Sequence, residues 1–243
     1  MKVLLTGFVA IATLGALIVP STCRADPGFS GALELARPIG DAYSERTTDG
    51  DAYPQSLGAR ALLARGAVAV WLDYRRNVYR TESRGAGSLT EYARLEGGHG
   101  TSVPFLARES SFEARVERRL GTRAFYAGLG VVRTWTNYNY PVLTGLGAGL
   151  ELRPDTAPGV RAFGSAYYYP SAAGRYLTES SPSRTLAPGF GIVKLDGGFV
   201  VRSTRSAVYG IAGYGFEQRS GHALPADVRF IRSDPYIAIG MRS

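Results

Sequence analysis

Between Phe112 and Leu120 the chain sets Glu113, Arg115, Glu117 and Arg119 at every second position, with Phe112, Ala114, Val116 and Leu120 in the complementary phase. A helix would mix the two sets around its circumference, whereas a strand sends them to opposite faces. Charges in that pattern can do two kinds of chemistry: line a path for ions, or bond to one another and fill an enclosed space. Testing other strand-like segments the same way puts Glu34, Asp73, Arg75, Glu151, Lys194, Asp196 and Arg242 in the charged phase. Val68, Val70, Leu72, Val193, Leu195 and Phe199 fall in the other. Acids and bases on the charged face nearly balance. An ion-selective path calls for an excess of one sign, while an isolated buried charge is costly and an opposite partner removes much of that cost. Pairing is therefore the expected use of this face.

Two further groups carry spacing. Tyr74, Tyr79, Trp135, Tyr138, Tyr140, Tyr167, Tyr168, Tyr169 and Tyr236 fall near the strand ends that join the longer connectors. In a membrane protein this is an interfacial girdle, where an amphipathic ring spans lipid and headgroup; the other use is a platform for sugars. Gly128 and Gly130, then Gly145, Gly147 and Gly149, alternate with Leu129, Val131, Leu146, Ala148 and Leu150. That wall either leaves open space or receives large side chains.

Hydrolytic candidates are few. Asp49 and Asp51 flank Gly50, His222 precedes Asp227, and His99 sits in a glycine-rich stretch from Gly97 to Ser102. One cysteine, Cys23, and two histidines rule out a disulfide scaffold and a site of several thiolate or imidazole ligands. Lys194 is the only lysine besides Lys2, so there is no phosphate-binding P-loop, and Gly145-x-Gly147-x-Gly149 lacks the spacing of a dinucleotide fingerprint. The expectation is a protein without catalysis, cofactor or metal.

The elements that must position these residues follow from the whole chain. Its 243 residues are 45% hydrophobic and 20% charged, enough for a folded domain. The formal charge of +8 comes from arginines scattered along the chain, a poor footprint for nucleic acid. Lys2, the apolar run Val3 to Val19, Pro20 and the small residues through Ala25 have the layout of a cleaved secretory signal helix, residues 1–25. Residues 26–243 then form one β domain, with 26–65 able to serve as an extra hairpin or a periplasmic extension.

Strand-length alternating segments fall near 28–36, 57–64, 67–79, 112–120, 124–137, 143–152, 159–169, 189–201, 206–217 and 235–242. Tight connectors alternate with longer ones covering roughly 37–56, 80–108, 170–188 and 218–234. This pattern resembles the small outer-membrane β-barrels of Gram-negative-type bacteria, whose periplasmic turns are short and extracellular loops long. The resemblance implies an all-β, up-and-down antiparallel transmembrane barrel, ten strands favoured over eight, with outer-membrane lipid and the barrel assembly machinery as partners and an unidentified extracellular ligand. The ending Gly240-Met241-Arg242-Ser243 departs from the aromatic terminus usual in that family, which bears on the assembly route.

In such a barrel the aliphatic face meets lipid, because an arginine turned outward near the midplane would cost about 2–4 kcal/mol. Arg118, outward but beside a turn, can reach the headgroups. The implied role is structural, adhesive or that of a narrow pore. A secreted or periplasmic ligand-binding barrel or sandwich is the alternative, and a rim hydrolase similar to the omptins or the lipid A deacylases is a more distant one.

Overall fold

The computed structural model describes residues 29–40, 42–43, 55–81, 105–121, 124–137, 142–154, 157–174, 176–177, 185–186, 189–223 and 226–243. The expected leader, residues 1–25, lies outside the described residues, as do Asp49, Asp51, His99, Tyr138 and Tyr140.

Ten long strands form one antiparallel sheet in chain order. They are β1 (Phe29–Pro38), β2 (Leu57–Arg65), β3 (Val68–Thr81), β4 (Phe105–Arg119), β5 (Phe125–Thr136), β6 (Leu143–Leu152), β7 (Gly159–Ala173), β8 (Gly189–Arg202), β9 (Val208–Ala223) and β10 (Ala226–Arg242). Each strand pairs with its sequence neighbour, and β1 pairs with β10 from Ala32↔Arg242 to Pro38↔Tyr236, so the sheet closes. Closure leaves no long edge to attract another chain. The two-residue piece Ala42–Tyr43 adds to β10, and Tyr176–Leu177 pairs with Thr185–Leu186. Among the described residues no helix is long and apolar enough to cross a membrane, which does not bear on crossing by strands.

The barrel has a short-turn end and a long-loop end. Gly66 and Gly121, at φ 60° and 65°, occupy short-turn reversals where an L side chain is strained. At the other end one expectation fails: residues 218–234 are not a loop. β9 and β10 run on as a hairpin through Gln218↔Ile231 to Ala223↔Ala226. The alternation there continues in polar residues, Glu217, Arg219, Arg232 and Asp234, and so escapes a search for aliphatic faces.

The period-two pattern fixes what faces where. Leu146, Leu129 and Val116 are 74%, 71% and 58% exposed on the outside, whereas Glu113 and Glu117 are 2% and 1% exposed within. Every carboxylate whose side chain is described faces the lumen: Glu34, Asp73, Glu109, Glu113, Glu117, Glu151, Asp196, Glu217 and Asp234. The charged side chains described on the outer face are arginines near strand ends, such as Arg65, Arg76, Arg108, Arg118 and Arg133.

Candidate functional site

The lumen is crossed by charge. The sheet register places Glu34, Arg60, Asp73 and Glu113 side by side on β1 to β4. From that row Arg60 reaches across the barrel. Its Nε donates to Asp73 Oδ2 at 2.9 Å, it pairs with Asp196 of β8, and its Nη1 donates to the Tyr236 hydroxyl of β10 at 3.1 Å and lies 3.8 Å from Glu34. Arg75 joins the same group, with Nη2 2.7 Å from Asp196 Oδ2 and Nε 3.3 Å from Asp73 Oδ1.

Two further groups continue the network. Toward the long-loop end, Glu113 accepts from Arg115 Nε at 2.5 Å, Lys194 Nζ at 3.1 Å and the Tyr169 hydroxyl. Lys194 also lies 3.7 Å from Glu217, which is 2.5 Å from Arg219, and Arg219 pairs with Glu109. Toward the short turns, Arg153 bridges Glu117 and Glu151, its guanidinium lies 3.9 Å from the Tyr126 ring centroid, and Trp71 Nε1 donates to Glu151 at 3.1 Å. Desolvated charges persist only when opposite charges and hydrogen bonds satisfy them, and here each acid has a basic or tyrosyl partner.

The glycines explain how the tyrosines enter. Tyr167 on β7 lies over Gly149 of β6 and Gly128 of β5, and its hydroxyl donates to Glu117 on β4 at 2.6 Å. Tyr169 crosses Gly147 and Gly130 to reach Glu113. Tyr209 on β9 lies over Gly240 of β10 and donates to Glu34 on β1 at 2.8 Å; Tyr236 lies over Gly213 and donates to Asp196 at 2.8 Å. A Cβ at Gly149, Gly213 or Gly240 would stand 2.5, 2.4 or 2.3 Å from the ring, so a flat ring needs a bare backbone beneath it.

This corrects the girdle. Tyr167, Tyr169 and Tyr236 are 2%, 0% and 3% exposed inside the barrel, not at its outer rim. Their nearness to strand ends outweighed their phase: Tyr167 and Tyr169 flank Tyr168, and period two puts the outer two together. Tyr168 is exposed on the outside, and Tyr74 and Trp135 contact one another there at 6.2 Å between centroids. Tyr79 lies on β3, with its side chain outside the described set.

Among the expected lumen charges, Glu34, Asp73, Arg75, Glu113, Arg115, Glu117, Glu151, Lys194 and Asp196 stand in the central network, while Arg119 and Arg242 line the lumen mouth at the short-turn end. Arg60, Glu109, Arg153, Glu217, Arg219, Arg232 and Asp234 belong to the lumen as well and were missed. Arg60 shares the phase of Asp73 through pairing that only the fold reveals, and Arg153 follows the last residue of β6 and carries no phase. Apolar residues also point inward, against the simple rule: Val132, Leu143, Tyr167, Tyr169, Ala172, Phe190 and Ile192 cluster in the long-loop half. Val200 and Ile211 pack with Tyr209 and Tyr236 in the other. His222 lies opposite Asp227 in the hairpin register, with both side chains outside the described set. Among the described residues no group of His, Cys, Asp and Glu is arranged to hold a metal ion.

No family model matches the sequence, and no curated protein does. Solved structures are similar at low identity. One is the Pseudomonas putida toluene transporter TodX (9% identity, TM-score 0.34, 90% of each chain). Another is a TodX deltaS2S3 mutant, a monoaromatic hydrocarbon channel (9%, TM-score 0.39, 90% of this chain and 91% of that one). A third is outer-membrane expressed OmpT of Vibrio cholerae (10%, TM-score 0.31, 90% of this chain and 99% of that one). No residue role is carried over at these identities.

Proposed function

We propose that this protein is an integral outer-membrane β-barrel, closed to ions at rest, that anchors and displays the connections at its long-loop end. The partition of side chains supports the membrane reading. In hydrocarbon the backbone must satisfy itself, which a closed sheet does, and the outer face must be apolar away from the headgroups. A soluble barrel keeps carboxylates on its outside; here they face the lumen wherever they are described. Arginines at outer strand ends suit headgroup phosphates, which attract cations and repel carboxylates.

One observation carries closure: Arg60 spans the lumen from β2 to Asp196 on β8 and Tyr236 on β10, with Asp73 and Glu34 on its flanks. A permeating ion would have to displace partners that satisfy each other. With the middle of the lumen bridged by the Arg60 layer, the reading is a scaffold whose short-turn end faces the periplasm.

The test is reconstitution in a planar bilayer, with unboiled and boiled gel mobility as the check on folding. The expected result is membrane extraction only by detergent, a heat-dependent mobility shift and no steady conductance. A stable ion-selective current from the unmodified protein would overturn closure, and recovery in the soluble fraction without detergent would overturn the membrane reading.

A further inference from the structure

Below the Arg60 layer the lumen does not stay filled. A cavity of about 430 Å³ occupies the short-turn half, within the size range of sites for small organic ligands. We propose that this cavity is a binding site for a small amphipathic anion, an apolar body bearing a carboxylate or similar head, entering from the short-turn end. The inference stands on lumen geometry and is independent of what the long loops do.

Three features point to that chemistry. The walls include Leu62, Phe163, Val200 and Ile211, inward-facing aliphatic and aromatic side chains. Aliphatic walls around water alone are unfavourable, whereas an apolar body would remove that surface from water. The carboxylates that reach the cavity are committed: Glu34, Asp73 and Asp196 to Arg60 at its floor, and Glu151, nearer the short turns, to Arg153 and Trp71. The mouth is cationic. Arg119, Arg153, Arg202 and Arg242 line the cavity at its short-turn side together with Glu151, and with Arg60 and Arg115 the six arginines of the described lining outnumber its four carboxylate side chains, Glu34, Asp73, Glu151 and Asp196. An amphipathic anion fits this gradient of apolar wall and basic rim; a cation or a neutral alcohol of the same body does not.

The cavity contains its own reporter. Trp71 lines it, and Trp135, the other of the two tryptophans, lies on the outer face. In a Trp135→Phe background, with protein in phosphatidylcholine nanodiscs, Trp71 emission is titrated with 4-phenylbutyrate, 4-phenylbutanol and 4-phenylbutylamine. The expected result is a saturable change with the carboxylate, at least tenfold weaker with the alcohol and the amine. Ala64→Phe, which fills the cavity, should abolish it, and Arg119→Gln should weaken it at least threefold. If Ala64→Phe does not fold by gel mobility, Arg119→Gln on the exposed rim still decides. No saturable response to 4-phenylbutyrate, an equal response to all three compounds, or a response unaltered by Arg119→Gln would overturn the proposal. A barrel that proved water-soluble would sink the membrane reading and leave this titration interpretable.

Discussion

The hydroxyl of Tyr209 donates to Glu34 Oε1 at 2.8 Å across the bare backbone of Gly240. Tyrosine, glycine and acid stand on β9, β10 and β1, so a single ring joins the last hairpin to the first strand. The same device recurs with Tyr167 and Glu117, Tyr169 and Glu113, and Tyr236 and Asp196.

Gly240→Ala should therefore destabilise more than a routine glycine change, because its Cβ would lie 2.3 Å from the Tyr209 ring and force the ring off the sheet. Overpacking of this kind costs about 1–3 kcal/mol. Tyr209→Phe keeps the ring and loses a hydrogen bond to a charged group, about 1.5–3 kcal/mol. Urea unfolding in lipid vesicles measures both, and a neutral Gly240→Ala would show that the ring is not held there.

Removing the Arg60 guanidinium leaves Asp73, Asp196 and Glu34 without their shared cation. Arg60→Met should cost about 3–5 kcal/mol, the usual penalty for breaking a buried pair from one side. It should also admit cations through the middle of the lumen, visible as a new cation-selective current in planar bilayers. Arg60→Met with Asp196→Asn should recover part of the stability. Equal loss in single and double variants would mean the two side chains are not coupled.

On the outer face, Leu129 stands midway along β5, opposite Val116 and Ala148. Leu129→Arg should cost about 2–4 kcal/mol in the bilayer, seen as a lower urea midpoint in vesicles. Stability indistinguishable from the unmodified barrel would place that face away from lipid.

Gly121 and Gly210 separate backbone strain from packing, since a Cβ at either meets nothing within 4 Å. Gly121 has φ 65° and Gly210 does not lie in the left-handed region. Gly121→Ala should lose about 1–2 kcal/mol, while Gly210→Ala should stay within about 0.5 kcal/mol of the unmodified protein. Equal effects would remove backbone conformation as the cause.

How much of this was legible follows from what period two encodes. Glu113, Arg115 and Glu117 announced both a strand and its inward face, because mixed aliphatic and ionic alternation has one low-energy orientation in lipid. The same rule, applied to Tyr167 through Tyr169, would have placed two of the three inside; weight given to position along the strand hid it. The Arg60 contacts to Asp196 and Tyr236 span more than a hundred residues and depend on the curvature of a closed sheet, which alternation does not carry. The long β9–β10 hairpin was missed for another reason: where strands rise past the aliphatic belt, both faces turn polar and the contrast that marks a strand fades.

The seam between β1 and β10 is where any barrel of this kind is joined last in space, and here Glu34, one residue on its first strand, is held from both sides, by Arg60 and by Tyr209. Parting the wall at that seam would take the Tyr209 hydroxyl away from the Glu34 carboxylate in addition to breaking the backbone bonds between β1 and β10. A lateral opening between β1 and β10 is thereby disfavoured, and the lumen is reached from its ends.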